Sequence, residues 1–79
     1  MHERIIQAML GYKKVFHIYP NTLYVGQDEY MEIIRSKAIN DGHIEYLSDN
    51  IIRVCGLMLC TVGVKSHFFI AYNEEFNGN

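Results

Sequence analysis

Two cysteines and four histidines, Cys55, Cys60, His2, His17, His43 and His67, are the residues of this 79-residue chain that could ligate a transition metal. Zinc asks for three or four such ligands, usually with a close pair such as C-x2-C or H-x3-H. Cys55 and Cys60 are an odd step of five apart, which on a regular strand points them to opposite faces, and the histidines are scattered. The spacing therefore predicts ordinary buried thiols, no metal ligands and no cofactor. Two cysteines are also too few for a disulfide framework.

Covalent or acid–base catalysis requires a nucleophile, a base and an orienting group held together. Ser66 and His67 are neighbours, and neighbours on a strand face apart. Asp28 and Glu29 suit the first turn of a helix, and Glu32 suits a solvated helix face. The segment GQDEY follows a strand-like stretch as a phosphate loop would, but it has one glycine and two acids where an anion would sit. No catalytic residue is expected. The competing expectation is a ligand or catalytic pocket between this helix and a sheet, using Tyr30, Glu32 and His67.

Seven Lys and Arg against nine Asp and Glu give a net charge of -2, without the basic block that a phosphate backbone attracts. Tyr24, Tyr46, Phe68, Phe69 and Tyr72 could stack bases, yet only Arg53 and Lys65 are near them, so nucleic acid is not expected as a partner. The apolar run from Val54 to Val64 is far shorter than the roughly 20 residues of a membrane span. MHERIIQAML sets an acid and a base ahead of a brief apolar stretch, which is unlike a secretory leader, so a cytoplasmic protein is expected.

The elements follow from periodicity. A single domain is expected, 49% hydrophobic and 20% charged, in the range of folded chains. Ile5, Ile6, Met9 and Leu10 form the apolar stripe of a short helix that Gly11 should end. VFHIYP reads as a strand or an extended connection, and TLYVG as a strand. A helix over 28–39 carries acids at its start and bases near its end, with Tyr30, Ile33, Ile34 and Ala38 on one face and Asn40, Asp41 and Gly42 as its stop. HIEYL suggests a short strand, followed by a turn at Ser48, Asp49 and Asn50. IIRVCGLMLCTVG and SHFFIAYN then read as two strands of a hairpin, with a frayed tail over 73–79. The expected architecture is α+β: two short helices on a small, mainly antiparallel sheet ending in a hairpin.

Both faces of that hairpin are apolar, whereas a sheet with one solvated face alternates more cleanly. With Ile52, Val54 and Met58 turned to the helices, Leu57, Leu59 and Phe69 are left outside, a pattern that marks an interface. The sequence thus predicts a non-enzymatic module that self-associates or docks on a larger protein, with Leu57, Leu59, Phe68 and Phe69 as anchors. Ile5 and Met9 of the first helix are expected as a second contact.

PNTLYVGQDEYMEIIR, followed after a polar interval by RVCGLMLCTV, resembles the strand–helix–strand unit of tailed-phage capsid core domains and of small phage proteins. The shared outline is a Pro-led strand, a polar turn, a helix with Tyr in its first turn and an apolar strand led by Gly, over about residues 20 to 62. The resemblance implies a small phage-encoded protein acting by contact with other proteins, in the virion or the host cytoplasm. It implies no catalytic residue.

Overall fold

The computed structural model describes residues 1–40, 42–48 and 51–76. Asp41 of the expected helix stop, Asp49 and Asn50 of the expected turn, and 77–79 of the expected tail lie outside the described residues. The chain is α+β, and five short strands make one mixed sheet.

Helix α1 spans His2–Phe16, longer than expected. Gly11 lies within it; a glycine there costs about 0.5–1 kcal/mol relative to alanine but does not stop the helix. Tyr12 and Phe16 continue the stripe with ring centroids 4.5 Å apart, and Lys13 and Lys14 sit where the negative helix end favours bases. The end comes at His17, whose φ of 63° breaks the helix while its N–H donates to Lys13 O at 2.8 Å. Lys13 Nζ donates back to His17 O at 2.8 Å. The aromatic and β-branched Val15 and Phe16 are therefore helical, not part of a strand.

Strand β1, Thr22–Val25, leads through Gly26 into α2, Gln27–Arg35. The single helix expected to reach residue 39 breaks at Ser36, whose hydroxyl accepts Ile39 N–H at 3.3 Å and starts α3, Lys37–Asn40. Strands β2 (Ile44–Tyr46), β3 (Ile52–Val54), β4 (Leu57–Thr61) and β5 (Phe68–Ala71) follow, in the sheet order β2-β3-β4-β1-β5. β1 runs parallel to β4, and the other three pairings are antiparallel.

Two expectations about the last third of the chain are corrected here. Residues 51–63 are not one strand: Val54 pairs with Leu57, and Cys55 and Gly56, with φ of 51° and 82°, close a two-residue hairpin loop. Positive φ at both central residues is the hairpin turn that matches strand twist. Nor do β4 and β5 pair with each other, because β1 lies between them. The tight turn reverses side-chain parity after residue 54, so Leu57 and Leu59 join Ile52 and Val54 on one face, and Met58 and Cys60 take the other.

The core lies between that first face and the helices. Leu23, Val25, Val54 and Leu57 of the sheet are fully buried with Ile5 of α1, Ile33 of α2 and Ile39 of α3. On the reverse face the cross-strand rows are Glu45, Arg53, Met58, Thr22 and Ala71, and then Cys60, Tyr24 and Phe69. None of α1, α2 or α3 contributes to a core there. The start of the tail is tied to the sheet: Asn21 Nδ2 donates to Asn73 O at 2.9 Å, and Asn73 N–H donates to Asn21 Oδ1 at 2.7 Å. A 3₁₀ turn over Glu74–Phe76 follows.

Candidate functional site

The polar centre of the molecule is the corner where β1 becomes α2. The loop from β4 to β5 must cross the chain leaving β1, because β5 pairs on the far side of that strand. It passes so closely that a Cβ on Gly26 would stand 2.7 Å from His67 N and 2.9 Å from Lys65 O. Gly26 N–H donates to His67 O, Gln27 N–H to Val64 O and Asp28 N–H to Lys65 O, all at 2.9–3.0 Å. The N–H groups at the start of α2 are thus used by loop carbonyls rather than held open for an anion.

Glu29 completes this corner, and sequence reasoning missed its role. It is 5% exposed, accepts Ser66 Oγ–H at 2.6 Å and accepts His67 N–H at 2.8 Å. The Ser66 hydroxyl first, and the His67 amide next, hold its carboxyl down at about 2. Of the pocket residues Tyr30, Glu32 and His67, only Tyr30 lines the open groove between α2 and β4, beside Met31, Leu59 and Val62. Glu32 is exposed elsewhere on α2, and the main-chain N–H of His67, not its imidazole, meets a carboxylate. This corner fastens the β4–β5 loop to the start of α2.

The expected contact anchors separate into three groups. Leu57 and Ile5 are fully buried and belong to the core, so they are corrected from interface to core residues. Leu59, Phe68 and Met9 are partly buried against that core, with the Arg4 guanidinium 4.1 Å over the Phe68 ring. Phe69 alone of the six stands out, 55% exposed on the reverse face and 6.1 Å from the Tyr24 ring. A larger apolar surface lies at the end of α1, where Leu10, Val15, Phe16, Ile18 and Tyr19 are all exposed. Its signal was present in the sequence: Ile5, Met9, Tyr12 and Phe16 repeat at steps of four, three and four, the spacing of a helix seam, straight through Gly11.

Comparison with known protein families, curated proteins and solved structures gives no match. No helix among the described residues is long and apolar enough to cross a membrane.

One further group of side chains converges. His2 at the start of α1, His43 just before β2 and Cys55 in the β3–β4 turn bring one ligand atom each to within 4.8 Å of one another. The two imidazole rings stack with centroids 4.5 Å apart. No local spacing connects positions 2, 43 and 55, which meet only because the helix layer covers the β3–β4 turn.

Proposed function

We propose that this protein is a non-enzymatic interaction module that self-associates through the overhanging end of α1. The observation that carries this reading is Phe16, which lies on the same helical stripe as the fully buried Ile5 yet is 58% exposed. A 15-residue helix is about 22 Å long, whereas the four-residue β5 it packs against spans roughly 13 Å. The seam runs past the core that buries its first half. Tyr12, Phe16 and Tyr19 then present an apolar surface of the kind that contacts cover.

A second copy fits this seam because Tyr12 and Phe16 are uncharged and the neighbouring lysines are turned away from them or already engaged. Lys14 falls on the opposite side of the helix by the 3.6-residue period, and Lys13 is turned back onto His17 O and over the Tyr19 ring, 5.1 Å away. An isologous contact needs such a self-complementary patch, and two α1 ends packed antiparallel set Tyr12 of each against Phe16 of the other. Phe69 on the reverse sheet face is a second contact surface. The resemblance to small tailed-phage proteins supports the same role, that of a small viral protein acting through other proteins.

Sedimentation equilibrium from micromolar to millimolar concentration tests the proposal. The expected result is a dimer at the upper end that Phe16→Glu disperses while the far-ultraviolet spectrum stays unchanged, and that Phe69→Glu leaves intact. A monomer across the whole range removes the proposal. Dispersal by Phe69→Glu alone transfers the contact to the sheet face.

A further inference from the structure

We propose that His2, His43 and Cys55 form a binding site for a divalent transition metal of the zinc class, joining the start of α1 to the β3–β4 hairpin. Three independent features of the molecule converge on it. The ligand atoms, from segments 41 and 12 residues apart, already lie within 4.8 Å of one another. With metal–nitrogen bonds of about 2.0–2.1 Å and a metal–sulfur bond of about 2.3 Å, a tetrahedral ion holds such atoms about 3.3–3.7 Å apart. Side-chain rotation that brings the atoms about 1–1.5 Å closer and turns the stacked rings' nitrogens toward the ion closes that difference.

The second feature is an unmet valence. His2 Nε2 is buried with no hydrogen-bond partner, the one such side-chain atom found among the described residues. A buried polar atom left unpaired costs about 1–3 kcal/mol, and on a ring that stacks against His43 in a group that also holds the Cys55 thiol a metal ion would relieve that cost. The third is the residue chosen for the turn. Two-residue hairpin loops with positive φ favour Asn-Gly or Asp-Gly, yet this one is Cys55-Gly56, with cysteine at φ 51°. Its N–H donates to His43 O at 2.7 Å, which locks the thiol beside the histidine it would share a metal with. Unfavourable backbone is kept where a side chain is needed in that place.

Donor chemistry selects the ion. Two neutral imidazoles and one thiolate suit zinc and its spectroscopic substitute cobalt, while the hard cations magnesium and calcium take oxygen ligands. Three protein ligands leave a fourth position for water. Binding balances as one metal ion taken up and one proton released, from the Cys55 thiol to solvent. Because a proton is released on binding, uptake weakens as the pH falls.

The test uses the untagged full chain, stripped with chelator and kept reduced. Cobalt titration is expected to saturate at one equivalent with a thiolate-to-metal charge-transfer band in the near ultraviolet. Zinc is expected to bleach that band and to raise the melting temperature by roughly 10 °C or more at a hundredfold excess over the dissociation constant. Cys55→Asn suits the positive φ and so keeps the turn, and it should abolish the band. His43→Gln should weaken binding at least about tenfold, and Cys60→Ser should behave as the parent. Absence of the band at saturating cobalt overturns the proposal, as does an undiminished band in Cys55→Asn. Loss of the band in Cys60→Ser moves the thiolate to the other cysteine and overturns it equally.

Discussion

The two principal helices of this protein are held in opposite ways. α2 is short and fastened at its start: its first N–H groups bond the loop carbonyls, Glu29 grips Ser66 and His67, and Ile33 fills the core. α1, 15 residues against nine, is only partly used; Ile5 is buried, Met9 is partly so, and beyond Tyr12 its seam leaves the sheet. The difference shows where function can reside. α2 commits its first N–H groups, Glu29 and Ile33 to its own domain, whereas α1 extends an unbroken seam past its core to where a partner can reach it.

The widest break of this contrast comes from the buried half of α1. Ile5→Ala should destabilise the chain by about 2–5 kcal/mol, the range for a large aliphatic side chain removed from a packed core, and denaturant unfolding measures it. Next in size is the fastening of α2. Gly26→Ala forces a Cβ against the backbone of Lys65, Ser66 and His67, where no side chain can give way. Overpacking of this kind costs typically 1–3 kcal/mol, and thermal melting should fall by roughly 10 °C. Parent-like melting in either variant would mean that the helix layer is held by something else.

Glu29 sharpens the contrast through pH. Its carboxyl titrates near 4.5 when unfolded and at about 2 when folded, so the folded state favours the charged form. The contribution is whole above about 4.5 and is lost as the pH falls toward 2. Glu29→Gln should therefore melt below the parent at neutral pH, and the two curves should converge on acidification through that window. A constant gap from pH 7 to 2 would assign the loss to packing instead.

Much of this arrangement is legible in the residues, and the failures have physical causes. α2 announces itself through Asp28 and Glu29 at one end and Arg35 at the other, and β1 through TLYV between Asn21 and Gly26. The β3–β4 turn was hidden because Cys-Gly stands where Asn-Gly is the usual signal, and missing it inverted the faces of Leu57, Met58, Leu59 and Cys60. The nearness of β4 and β5 in sequence suggested a hairpin, but the insertion of β1 between them is a tertiary choice that no local pattern encodes. Gly11 outweighed the seam through Tyr12 and Phe16, which shortened α1 on paper and concealed its overhang. Glu29 looked like an ordinary helix-start acid, since its partners lie 37 and 38 residues further along.

The smallest expected effect is the most discriminating between the two halves of α1. Phe16→Ser removes an aromatic side chain from the same stripe as Ile5, but one that the domain leaves 58% exposed, with the Tyr12 ring tilted against it 4.5 Å away. In dilute solution, where each chain stands alone, the loss should be under about 1 kcal/mol, as expected for one exposed aromatic contact. At concentrations where copies associate, the parent gains stability by mass action and the variant does not, so the gap between their melting temperatures should widen with concentration. The sign of that widening carries the distinction: a seam that serves only its own domain gives a gap independent of concentration, and a seam that serves a second copy gives one that grows.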